Sequence, residues 1–88
     1  MNRDGSDQPS GPSLAPPVKR SVTIAGHQTA ISLEPIFWDA LRAAAAAENL
    51  PTNALIARID VARLAVDPTP NLASAIRCWL FDRACGYR

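Results

Sequence analysis

The chain has 88 residues, room for one domain, and a chain this short buries only about 60% of its unfolded surface on folding, which argues against a walled catalytic cleft. Nine Lys and Arg stand against eight Asp and Glu, a net charge of +1, so neither a strongly basic binder nor an acidic tail is indicated and any electrostatic role must come from how the charges are distributed. Apolar residues make up 48%, yet no uncharged apolar run approaches the ~18 residues of a membrane span; the chain is expected to be soluble and without a membrane partner.

Residues 1–17, MNRDGSDQPSGPSLAPP, are rich in Pro, Gly and Ser, with Leu14 the only large aliphatic residue after Met1, too little apolar surface to offset the entropy of ordering. They are expected to form a disordered arm before a domain over 18–88. Arg3, Asp4 and Asp7 with no apolar stretch behind them do not resemble a secretion signal, so the expected location is cytoplasmic.

From Lys19 the segment KRSVTIAGHQTAISL is rich in β-branched residues and broken at Gly26, the pattern of two short strands and a turn. In the first strand Val22 and Ile24 alternate with Ser21 and Thr23. In the second, Ile31 and Leu33 point one way and Gln28, Ala30 and Ser32 the other, as in a ribbon with one buried face. No acidic residue occurs between Asp7 and Glu34, while Lys19 and Arg20 open the ribbon, so its surroundings are locally positive. Pairing of the two strands within one chain and pairing between two copies are both open at this level, and internal pairing threatens to occupy the edge that a partner strand needs.

Pro35 suits the first turn of a helix, and EPIFWDALRAAAAAEN places Phe37, Leu41, Ala44 and Ala45 on one stripe with Trp38 at its edge. Asn49 can close this helix in a left-handed conformation before Leu50 and Pro51. Thr52 or Asn53 is expected to cap a second helix running to about Val66, with Leu55, Ile56, Ile59 and Ala62 inward and Arg58 and Arg63 outside the stripe. DPTP at 67–70 stops it, and Asn71 caps a third helix, about 71–86, whose apolar set is Leu72, Ala75, Ile76, Trp79 and Leu80. The aromatic residues Phe37, Trp38, Trp79 and Phe81 are expected in core or dimer contacts, and Arg42, Arg58, Arg63 and Arg77 on solvated faces from which any one could meet a phosphate.

Cys78 and Cys85 lie seven residues apart, about 10.5 Å along a helix, too far to bridge; buried, unreactive thiols are expected. With His27 as the single histidine, no four-ligand metal site arises from one chain, and neither a serine-elbow motif nor a glycine-rich phosphate loop is present. The expectation is a non-enzyme with no catalytic residue, metal or cofactor. A two-stranded ribbon under two helices also leaves Ile31, Leu33, Phe37, Leu41, Leu55 and Ile59 incompletely covered, which predicts a homodimer, although the third helix could supply part of the cover.

The stretch QTAISLEPIFWDALRAAAAAENLPTNALIARI resembles a ribbon-helix-helix domain of the Arc and MetJ type. KRSVTIAGHQTAISLEPIFWDAL, NALIARID and NLASAIR together are similar to a group of small bacterial ribbon-helix-helix proteins. The resemblance implies a mostly α fold with a short β ribbon, an intertwined homodimer, and here an additional C-terminal helix. It implies a sequence-specific binder of double-stranded DNA and a transcriptional regulator, with Gln28, Ala30 and Ser32 contacting bases from the major groove. Phosphate contacts then fall to Lys19 and Arg20 and to Thr52 and Asn53 at the start of the second helix, where Pro51 stands in place of the usual hydroxyl cap. The alternative is an antitoxin-like or adaptor dimer that grips a protein through its C-terminal helix around Trp79 and Phe81, with weak or no DNA binding.

Overall fold

In the computed structural model, which describes residues 14–86, two strands and three helices follow in the order β1 (Val18–Ile24), β2 (His27–Leu33), α1 (Pro35–Ala47), α2 (Thr52–Leu64) and α3 (Leu72–Cys85). Residues 14–17 are exposed and without regular structure; the rest of the expected arm lies outside the described residues.

β1 and β2 pair antiparallel within the chain, in a register that sets Ile24 opposite His27 and Val18 opposite Leu33. The two-residue turn between them has positive φ at Ala25 (51°) and Gly26 (82°), which a type I′ hairpin demands at both central positions and which matches the strands' own twist. Val22, Ile24, Ile31 and Leu33 are buried on one face. Onto that face pack the helices, α2 against β1, α3 against β2, and each helix against the other two.

Leu33, Leu41, Leu55, Ile56, Ile59 and Ile76 are completely or almost completely buried, each contributing about 1.5–3 kcal/mol. Because α3 adds Ile76 and Leu80 to this cluster, one chain encloses its own core. The core-size argument for a second copy therefore does not hold: the missing cover comes from α3.

Pro35 opens α1, as expected, and Asn49 closes it with φ 57°; Leu50 N–H bonds Ala45 C=O and Asn49 N–H bonds Ala46 C=O, the paired bonds of a Schellman ending. The inward aromatic residue is Trp38 (3% exposed), whereas Phe37 is half-buried, the reverse of the sequence reading. The indole N–H finds the backbone carbonyl of Val18 at 2.9 Å, so the ring can be buried with its donor satisfied.

α2 ends at Leu64, two residues before the expected boundary, and Ala62 is exposed. Its N-cap is Pro51, and no side chain caps it, contrary to the expected role of Thr52 or Asn53. Asn71 does cap α3, accepting from Ser74 N–H at 2.8 Å. Cys78 and Cys85 are both exposed free thiols, on the outside of α3 rather than in the core. No helix among the described residues is long and apolar enough to cross a membrane.

Candidate nucleic-acid interface

The hairpin register brings together what alternation only sorted strand by strand. Opposite Gln28, Ala30 and Ser32 stand Thr23, Ser21 and Lys19, and because partners in an antiparallel ladder share a face, all six side chains share the face turned away from the helices. All six residues are exposed. The result is a flat polar surface of small side chains, one amide and one ammonium group, with no carboxylate anywhere on residues 18–33. Such a surface can offer donors and acceptors to base edges without a bulky side chain to hold it off.

Arg20 does not join it. Arg20 pairs with Ile31 on the inner face, and its guanidinium stacks over the Trp38 ring at 5.5 Å. Lys19, Gln28, Ala30 and Ser32 are thus brought together, while Arg20 projects at the border of the sheet on the helix side. Thr52 and Asn53 are the first two residues of α2, where their N–H groups precede the first intrahelical bonds, those from Ala54 and Leu55 to Pro51 C=O. They belong to the helical layer and not to the polar face.

The other arginines among the described residues each have a carboxylate partner: Arg42 and Arg58 lie on exposed faces as expected, whereas Arg63 and Arg77 are partly buried. Arg42 pairs with Asp39; Arg63 pairs with Asp60 at 2.7 Å and donates to the Pro70 carbonyl. Arg77 of α3 reaches Glu34 at the start of α1 at 3.1 Å, stacking also over Phe37. Glu48 takes Arg58 of α2 at 3.2 Å and Arg83 of α3 at 3.0 Å. Hydrogen bonds from its own backbone N–H and from Arg77 hold the Glu34 carboxyl below the usual carboxylate range, and those from Arg58 and Arg83 do the same for Glu48. Among the described residues, the cations without a carboxylate partner are Lys19 and Arg20, both on β1. A net charge of +1 for the whole chain therefore conceals a strand with two cations and no acid, beside arginines of the helices that are each paired with a carboxylate, two of them sharing Glu48.

Sequence reading missed Ser21 and Thr23 as part of the site. The available signal was the Ala25–Gly26 pair between two alternating runs, since a two-residue turn fixes which residues face one another. No group of three metal-ligating side chains occurs among the described residues. The other concave surface of note is an open apolar groove of about 510 Å³ beside α3, lined by Phe37, Arg77, Cys78, Phe81 and Asp82.

Compared with known families, the chain matches the model described as a ribbon-helix-helix domain over residues 17–84. Among curated proteins and solved structures, nothing matches it.

Proposed function

Because the chain belongs to the ribbon-helix-helix family, whose members are generally DNA-binding transcription regulators or antitoxins, we propose that it is a sequence-specific binder of double-stranded DNA. It acts as a regulator in the cytoplasm of a bacterium, and it does so without a cofactor and without catalysis. The observation that carries this reading is the exposed, carboxylate-free hairpin face bearing Gln28, Ala30 and Ser32 beside Lys19.

β2 enters the major groove. Gln28 pairs with an adenine through N6 and N7, Ser32 donates or accepts, and Ala30 touches a thymine methyl; Gln28 contributes about 1–3 kcal/mol of base discrimination per copy. Lys19 and Arg20 hold phosphates, as do the first N–H groups of α2 at Thr52 and Asn53. Two copies act together by joining along the free edge of β2. The concern that internal pairing blocks this edge is answered by geometry: a strand has two edges, and β1 takes one.

Titration of fluorescent duplexes at several salt concentrations, together with the mass of the protein in solution, tests the reading. Affinity should fall steeply from low to physiological salt. Gln28→Ala should reduce preference for the selected sequence, and Lys19→Ala with Arg20→Ala should weaken binding to every duplex. A monomeric mass, or a chain that ignores duplex DNA at low salt, refutes it.

One observation favours a second reading, that of a protein-interaction module. Phe81 is 67% exposed beside the apolar groove of α3, a surface suited to a protein side chain. If that is the main contact, Phe81→Ala should abolish partner binding while the hairpin variants leave it unchanged.

A further inference from the structure

The hairpin gives each copy two strands where a shared ribbon needs one, and the second strand requires a role. Residues flanking a two-residue turn exchange both hydrogen bonds, so Ile24 with His27 begins the ladder and the alternation continues through Val22 with Thr29, Arg20 with Ile31, and Val18 with Leu33. The backbone N–H and C=O groups of Gln28, Ala30 and Ser32 consequently point away from β1, along the open edge of β2. Those of Lys19, Ser21 and Thr23 point outward from β1. A second copy added at the β2 edge yields the order β1, β2, β2, β1.

Width decides what each strand can touch. Neighbouring strands lie about 4.8 Å apart, so the central β2 pair fits within a major groove about 12 Å wide. The two β1 strands are then three spacings apart, about 14 Å, which exceeds the groove and sets them over its walls. The walls are phosphate backbone.

We propose that β1 is a phosphate-binding strand, its Lys19 ammonium, Ser21 and Thr23 hydroxyls and outward N–H groups gripping the DNA backbone on both sides while β2 reads the bases between them. This rests on the DNA-binding reading above, which gives β1 only the Lys19 and Arg20 contacts, and extends it to Ser21, Thr23 and the outward N–H groups of that strand. Charge complementarity supports the occupant: residues 18–33 carry no acid, and Lys19 has no carboxylate partner among the described residues. The chemistry also fits, because hydroxyl and backbone N–H donors are common phosphate contacts and carry no sequence information.

The full chain, its Thr23→Glu, Lys19→Gln and Gln28→Ala variants and the double variant Ser21→Ala with Thr23→Val would be titrated against a selected duplex and a scrambled one of equal length, with circular dichroism to verify folding. Thr23→Glu should weaken binding to both duplexes by the same factor, roughly tenfold or more, because a carboxylate then faces phosphate. The mild double variant should lower both affinities together. Lys19→Gln should reduce the slope of log affinity against log salt by about 0.9 per copy. Gln28→Ala alone should change the ratio between the duplexes. If the β1 variants bind like the parent while Gln28→Ala loses discrimination, DNA binding stands and this inference falls. If Ser21→Ala with Thr23→Val alters the ratio instead, β1 lies inside the groove as half of a single-chain ribbon, and the inference falls as well. A parent chain that binds neither duplex overturns both readings.

Discussion

Replacing Ile76 by alanine asks whether one chain does close its own core. Ile76 is fully buried on α3 and belongs to the cluster that includes Leu33, Leu41 and Leu55. Truncation removes three carbons from a site walled on all sides, a change that costs about 2–5 kcal/mol. A domain of this size has about 4–11 kcal/mol in total at ~0.05–0.15 kcal/mol per residue, so the loss consumes a large part of it. With about 4–8 °C of Tm per kcal/mol, a loss near 3 kcal/mol lowers Tm by about 12–24 °C. Urea unfolding, followed by circular dichroism, should show a lower midpoint with an unchanged slope. Should Ile76→Ala cost less than about 1 kcal/mol while Leu41→Ala costs several times that, α3 is no part of the core. Its cover must then come from a second copy, and the self-contained domain described here is wrong.

Three further outcomes follow from local geometry. Asn71→Ala removes the Ser74 N–H acceptor and should cost about 1 kcal/mol, seen as a Tm lower by several degrees; an unchanged Tm means the cap is not formed in solution. Ala25 holds a positive φ at a steric cost, so Ala25→Asn, which creates the Asn-Gly turn favoured in type I′ hairpins, should stabilise by about 0.5–1 kcal/mol, and any destabilisation contradicts the turn assignment. Glu48 has its pKa depressed by Arg58 and Arg83, so its contribution is complete above the unfolded value of about 4.3 and disappears as pH falls through the lower folded value. The Tm gap between parent and Glu48→Gln should therefore be constant near neutrality and close as the pH falls below about 4; a gap that persists at low pH rules out the carboxylate as its source.

Features set by neighbours along the chain were legible in the sequence: the Asn71 cap, the Pro35 start, the left-handed Asn49 and the alternation of β2 all depend on residues within one turn or one strand. What escaped depends on distant partners. The stripes Phe37–Leu41–Ala44 and Trp38–Leu41–Ala45 fit helical spacing equally well, and the choice between them is made by the Val18 carbonyl, 20 residues away, which satisfies the indole N–H. Local spacing cannot show the partner of Arg77, because Glu34 is 43 residues distant. The general habit of free cysteine favours burial of Cys78 and Cys85, but the inward face of α3 is supplied by Ile76 and Leu80, and both thiols are exposed.

The composition of the hairpin face sets an upper bound on how selective such a binder can be. Gln28 is the one side chain on β2 able to make a bidentate base contact, worth about 1–3 kcal/mol, so under the proposed two-copy reading direct discrimination amounts to about 2–6 kcal/mol. Specific DNA binders reach about 4–10 kcal/mol over non-specific sites. Ala30 adds only a methyl contact, and Ser32 accepts several base edges. On the proposed reading, discrimination beyond about 6 kcal/mol would come from the duplex itself, through the energy of shaping a groove around a sheet wider than it, which favours flexible pyrimidine–purine steps at positions no side chain touches. Selection from random duplexes should accordingly return a short adenine contact at each half-site separated by deformable steps, whereas a long, fully specified operator would mean that more side chains read bases than this face contains.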